Sequence, residues 1–145
     1  MKIEFRRDPS AQEPRVLVLA RERTPEVEAL LRRLRAPATL AAYDGERGEV
    51  LLREEEILRV YTEKRRVLVD SSRGTFTLRA RLYELEARLD AEEFVRISNS
   101  EIVRRGCILH LDFSLTGTIR LTLEGGIETY VSRRYVSRIR RMFES

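Results

Sequence analysis

Cysteine and histidine each occur once, as Cys107 and His110. One thiol cannot close an intrachain disulfide, so a reducing, cytoplasmic setting is expected rather than a disulfide-stapled secreted domain. Cys107 lies in an apolar strand-like run, where a buried, inert thiol is expected. A single histidine with no cysteine cluster beside it does not complete a metal site, and His110 reads as structural, at the surface or half-buried. Long apolar runs are missing too, and none approaches the roughly 20 residues of a membrane-spanning helix. Met1 to Pro9 carry Glu4 and Asp8 and lack the apolar stretch of a signal peptide. There is no glycine-rich phosphate loop: Gly125-Gly126 falls between two strand-like runs, without the helix or lysine of a P-loop. Glu54-Glu55-Glu56 reads as a solvated turn, and no carboxylate pair stands out as an acid/base couple. These absences argue against an enzyme; no cofactor, metal or small-molecule substrate is expected.

What is present suits one compact domain with a small extension: 145 residues, 42% of them hydrophobic and 36% charged. The net charge of +4 is modest, but its placement is uneven. Arg133, Arg134, Arg138, Arg140 and Arg141 meet only Glu144 in the last thirteen residues. Clustering on one element points to a polyanionic partner more than total charge does. A solvated arginine-rich terminal helix is the alternative reading.

Alternation of apolar and polar residues places short strands along most of the chain. Residues 2–6 and 16–19 read as strands and Thr24-Pro25 as a helix start, Thr as N-cap and Pro at the first helical position. Val27, Leu30, Leu31 and Leu34 then recur at helical spacing until Arg35 and the Pro37 stop. This β-β-α extension, residues 1–43 with a strand over 38–43, is too small to stand alone and is expected to pack on the rest of the chain or to serve a dimer or partner contact. In residues 44–145, Ile57–Tyr61, Val67–Asp70 and Thr75–Leu78 read as an antiparallel meander after the Asp44-Gly45 and Arg47-Gly48 turns. A helix is expected over 80–89 and a helical turn over 100–105. Strands follow over 107–113, with Leu109, Leu111 and Phe113 on one face, then over 119–123 and 128–131. Ser132 caps a closing helix whose Val136, Ile139 and Phe143 point inward. The fold class is mainly β with helices (α+β).

Three polar clusters invite a functional reading. Arg133 and Arg134 fill the first turn of the closing helix, where the macrodipole disfavours positive charge; a local rule broken there suggests function. Free N–H groups at a helix start hold phosphate, and a guanidinium matches guanine bidentately. Ion pairs to Glu101 or Glu128 are the bland alternative. Asn99, in Ser98-Asn99-Ser100, carries donors and an acceptor suited to a base edge or a phosphate, or it caps the turn that follows. Lys64-Arg65-Arg66 on a hairpin tip adds a third positive contact, or is a solvated loop.

Together, Phe94-Val95-Arg96-Ile97-Ser98-Asn99-Ser100-Glu101-Ile102-Val103, the alternating hairpin and Val131-Ser132-Arg133-Arg134-Tyr135-Val136 resemble the LytTR DNA-binding domain of bacterial transcriptional regulators. The resemblance runs from about Asp44 to Phe143. It implies an elongated β-β-β arrangement of small antiparallel sheets, with loops at the sheet edges entering successive major grooves. Members bind paired direct repeats of double-stranded DNA as two protomers and bend it, so a homodimer on DNA is implied. Matched position by position, Arg65, Asn99 and Arg134 would contact bases. Lys64, Arg66, Ser98, Ser100, Arg104, Ser132, Arg133, Arg138, Arg140 and Arg141 would support them or hold the backbone. Ser98 and Arg104 depart from the residues many members carry, His and Asn. Met1–Pro37 are too few for the receiver domain of many such regulators; the stand-alone type is implied, often associated with a small membrane protein. The alternative function is a protein-interaction module that titrates a related regulator through the N-terminal extension.

Overall fold

The computed structural model describes residues 1–34, 39–45 and 48–143 and divides into two units, Met1–Ala36 and Pro37–Ser145. Arg35, the Pro37 stop, the strand start at Ala38, Arg47 and Glu144 lie outside the described residues.

The first unit holds one helix among its described residues, α1 (Pro25–Leu34). Thr24 caps it as its chemistry requires: the Val27 N–H donates to Thr24 Oγ1 at 3.2 Å, a contact worth about 1 kcal/mol. The extension is not β-β-α, however. Residues 2–6 and 16–19 form no strands, and Ile3, Phe5, Val16, Leu17 and Leu19 are all exposed, Phe5 at 92%. A strand needs a neighbour to take up its N–H and C=O groups, and even a lone hairpin is marginal in water. Here Asp8 Oδ1 instead accepts the Ser10 N–H at 2.9 Å and closes a local turn between the two runs.

In the second unit the described residues form ten strands and two α-helices, in the order β1 (Thr39–Asp44), β2 (Gly48–Arg53), β3 (Ile57–Glu63), β4 (Arg66–Ser71), β5 (Gly74–Leu78), α2 (Leu82–Arg88), β6 (Phe94–Ser98), β7 (Glu101–Arg104), β8 (Ile108–Asp112), β9 (Ile119–Leu123), β10 (Ile127–Val131) and α3 (Arg133–Phe143), with short 3-10 turns before β3, β8 and β10. All pairings are antiparallel, in sheets of order β2-β1-β5-β4-β3-β7-β6 and β10-β9-β8. The larger sheet consists of three pieces joined by short seams. The β1–β2 hairpin pairs with the meander through Tyr43↔Thr77, and β3 pairs with β7 over residues 59–61 and 101–103.

Two apolar cores lie on either side of the β6–β7 hairpin. One gathers Leu52, Ile57, Val60, Val69 and Ile102 with Leu82, Leu85 and Leu89 in and after α2. The other gathers Ile97, Val103, Ile119, Leu121, Leu123 and Val131 with Ile139 of α3. Successive residues Ile102 and Val103 therefore enter different cores. Burying each contributes about 1.5–3 kcal/mol.

That double burial corrects the helical turn expected over 100–105: Glu101–Arg104 is strand β7, with Glu101, Ile102 and Val103 all buried. A run with no polar face hides its period of two. Leu109 departs from its expected inward face as well. A bulge between Ile108 and His110 leaves it opposite no partner, and it is 65% exposed. Cys107 is buried, its thiol donates to the Ile57 carbonyl at 3.5 Å, and burial pushes its pKa up. His110 is exposed.

Candidate nucleic-acid interface

Backbone contacts draw three turns to one edge of the second unit. The β3–β4 hairpin closes on Glu63↔Arg66, so Lys64 and Arg65 form its two-residue tip. Next to that tip, the Thr62 N–H donates to the Ser100 carbonyl at 2.9 Å. This bond ties the hairpin to the Ser98-Asn99-Ser100 turn between β6 and β7. The Ser132 N–H in turn donates to the Ile97 carbonyl at 2.9 Å, bringing the start of α3 beside the same turn. The Tyr135 hydroxyl completes the chain by donating to Asn99 Oδ1 at 3.2 Å. Arg65, Asn99 and Arg134, far apart in sequence, thus belong to one contiguous edge.

The charges on this edge are open. Lys64, Arg65, Arg66, Arg133, Arg134 and Arg138 are exposed and pair with no carboxylate among the described residues. The ion pair considered for Arg133 or Arg134 with Glu101 does not form, because Glu101 is committed elsewhere. It receives Arg59 at 3.3 Å and the Thr129 hydroxyl at 2.7 Å. Arg59 also meets Asp70 at 2.8 Å and stacks over the Tyr61 ring at 4.2 Å. Burial weighs against the Arg59 charge, but Asp70 and Glu101 outweigh it and raise its pKa. The Tyr61 hydroxyl is pushed up by burial and by the Asp70 charge. This half-buried network lies directly behind the turns, and its Glu101–Thr129 bond links the two sheets.

Turn geometry accounts for most of the remaining positions. Lys64 and Arg65 both have positive φ, 49° and 66°, as the tight turn of a two-residue hairpin demands. Ser98 Oγ accepts the Ser100 N–H at 3.1 Å and lies 3.2 Å from Ser100 Oγ. The serines therefore shape the turn, and no helix exists for Asn99 to cap. The Ser132 carbonyl accepts the Tyr135 N–H at 2.9 Å at the start of α3. Along α3, Arg134, Arg138 and Arg141 follow at helical spacing on one face, and Arg141 Nε donates to the Ser137 carbonyl at 3.4 Å. Arg133 lies against Gly117 in the β8–β9 loop, where an added Cβ would come within 3.3 Å of Arg133 Nε.

Two arginines stand apart. Arg104, at the far end of β7, donates from Nε to the Ile57 carbonyl at 2.6 Å and so braces the core away from the cluster. Arg140 lies over the Phe113 ring at 5.3 Å. Sequence reasoning missed Arg96 and Tyr135. Arg96 donates to the Ser98 and Asn99 carbonyls, both at 2.7 Å, and pairs with Glu86 of α2. The only trace in sequence is an arginine two residues before a polar turn.

Residues 48–144 match the family model of the LytTr DNA-binding domain. The chain belongs to that family. All three turns fall inside the matched range. Among curated proteins it is similar to uncharacterized HTH-type transcriptional regulators of Staphylococcus aureus. One, from strain bovine RF122 / ET3-1, is 48% identical over 65 residues, 45% of this chain and 44% of that protein. Another, from strain NCTC 8325 / PS 47, is 36% identical over 90 residues, 62% of this chain and 60% of that protein. These matches span less than two thirds of either relative. Among solved structures, a LytTr DNA-binding domain from Bacillus cereus superposes with a TM-score of 0.71 at 20% identity, over 76% of this chain and all of that one. The likeness is one of fold. Among the described residues no two helices are joined by a short turn; the exposed cations of the edge lie at the β3–β4 tip and along α3.

Proposed function

We propose that this LytTr-family chain is a transcriptional regulator that reads double-stranded DNA in sequence-specific fashion through its sheet-edge turns. The observation that carries the reading is the convergence of three turns on one edge, joined by Thr62–Ser100, Ser132–Ile97 and Tyr135–Asn99 and furnished with cations that meet no described carboxylate. In this reading Arg65, Asn99 and Arg134 contact bases in the major groove. Lys64, Arg66, Arg133, Arg138 and Arg141 hold phosphates; Ser98, Ser100 and Ser132 maintain the turns; and Arg104 and Arg140 act through packing. Two protomers occupy paired direct repeats, and bending the duplex between them costs about 1–6 kcal/mol, offset by the added contacts. The site needs no cofactor or small-molecule substrate. No described helix is long and apolar enough to cross a membrane; a small membrane protein as regulator rests on the family resemblance, and a cytoplasmic location on the single thiol.

Selection of bound duplexes from a random pool at two salt concentrations tests this. A recovered direct repeat with half-sites about one helical turn apart supports reading by two protomers. Binding that fades with salt and enriches no sequence would leave only a non-specific polyanion surface.

A second reading has its own observation. The exposed Ile3, Phe5, Val16, Leu17 and Leu19 of the first unit suit a protein contact, through which the chain would titrate a related regulator. A chain lacking residues 1–36 that still inhibits such a regulator would remove that reading.

A further inference from the structure

We infer that Tyr135 is a specificity-determining positioning residue, setting which face of the Asn99 amide is offered to DNA. The inference rests on the groove reading above and concerns the hydrogen-bond sign presented at one base position.

A free asparagine amide flips, and so offers either its acceptor oxygen or its donor nitrogen to a base edge. Asn99 is exposed at the tip of its turn, yet it is not free. Its backbone is fixed by Arg96, which donates to the Ser98 and Asn99 carbonyls, both at 2.7 Å. Glu86 of α2 anchors that guanidinium in turn, and the Arg96 side chain is only 12% exposed. The Asn99 side chain is then oriented by the Tyr135 hydroxyl, which donates to Oδ1 at 3.2 Å. Tyr135 holds its position because its ring packs against the core that contains Ile97, Val131 and Ile139. With Oδ1 tethered to the protein, Nδ2 and its two hydrogens become the outward group.

An outward donor selects among bases in a definite way. Guanine offers N7 and O6 in the major groove, adenine N7 and thymine O4, all acceptors. Cytosine offers only its N4 donor. The Tyr135–Asn99 pair is therefore a device that excludes cytosine from the position Asn99 faces. Arg96 supplies the rigidity that makes the amide orientation count.

The test is Tyr135→Phe, which removes the hydroxyl and leaves the packed ring. Full chains of wild type and variant are compared on a set of duplexes carrying every base at each operator position, with thermal unfolding as the control for fold. The expected result is that discrimination against cytosine falls on the order of tenfold at one position while preferences elsewhere are kept. Asn99→Asp, which presents only acceptors, should turn that same position towards cytosine or adenine. Uniform weakening at all positions would overturn the inference, since a merely structural tyrosine would act that way. So would an unchanged base preference in Tyr135→Phe on a wild-type motif. A wild type with no preferred base at any position would overturn the groove reading itself, and this inference with it.

Discussion

Lys64 and Arg65 sit in left-handed backbone conformations that asparagine and glycine adopt far more readily. Each non-glycine residue held there costs about 1–2 kcal/mol. The core does not need them, since both side chains are exposed and neither makes a hydrogen bond or ion pair with a described residue. Such strain at a tip carrying two cations is what a contact surface would retain and a merely structural hairpin would discard. The double substitution Lys64→Asn with Arg65→Gly should thus raise unfolding stability by about 1–2 kcal/mol in urea titrations and weaken DNA binding sharply in the same preparation. A stabler protein with undiminished DNA affinity would show the tip to be a bystander. Arg134→Ala tests a different residue role. It should lose about 1–3 kcal/mol at one base position and relax preference there, measured on single-base operator variants; equal losses on every duplex would assign Arg134 to phosphate alone. At this scale the position of Arg134 was readable, since the sequence puts it in the first turn of a helix and the structure has it there, exposed. The sequence was not readable for Arg96 and Tyr135, whose roles depend on carbonyls and an amide that only the folded hairpin presents.

At the scale of elements, α3 has two separable sides. Ile139 is buried, with Val136 and Phe143 packed beside it, and Arg134, Arg138 and Arg141 line another face. Arg138 is the cleaner probe of phosphate contact, because Arg140 is engaged with Phe113 and Arg141 with a carbonyl of its own helix. Arg138→Gln should reduce the slope of log affinity against log salt by about 0.9, the release of one contact's counterion, with base preferences unchanged. An unaltered slope would place Arg138 away from the duplex. Legibility differed among elements for a physical reason. Strands β9 and β10 alternate covered and less covered residues, and helices α2 and α3 each bury one side, so their periodicity could be read. Strand β7 is covered on both faces and was mistaken for a turn, while the bulge at Leu109 reverses an alternation that the residues themselves show unbroken. The runs at residues 2–6 and 16–19 have strand-like composition, but ladder pairing requires a partner that these runs lack here.

For the molecule as a whole, the question is what the two units contribute separately. Both apolar cores are built wholly from residues within Pro37–Ser145, so that unit carries its own stability. The three turns lie inside it as well. A fragment beginning at Pro37 should therefore unfold in one cooperative transition and keep wild-type affinity for a single half-site. The first unit, in contrast, exposes Ile3, Phe5, Val16, Leu17 and Leu19, side chains that suit a protein contact. If that chain is a second protomer, the fragment should lose cooperativity on paired half-sites while its single-site affinity stands. Titration of a two-site duplex with both proteins would read this directly, as a binding curve that becomes shallower only for the fragment. Equal steepness in the two curves would move the protomer contact into Pro37–Ser145 or leave it to the bent DNA. The apolar N-terminal segment would then not be the protomer contact.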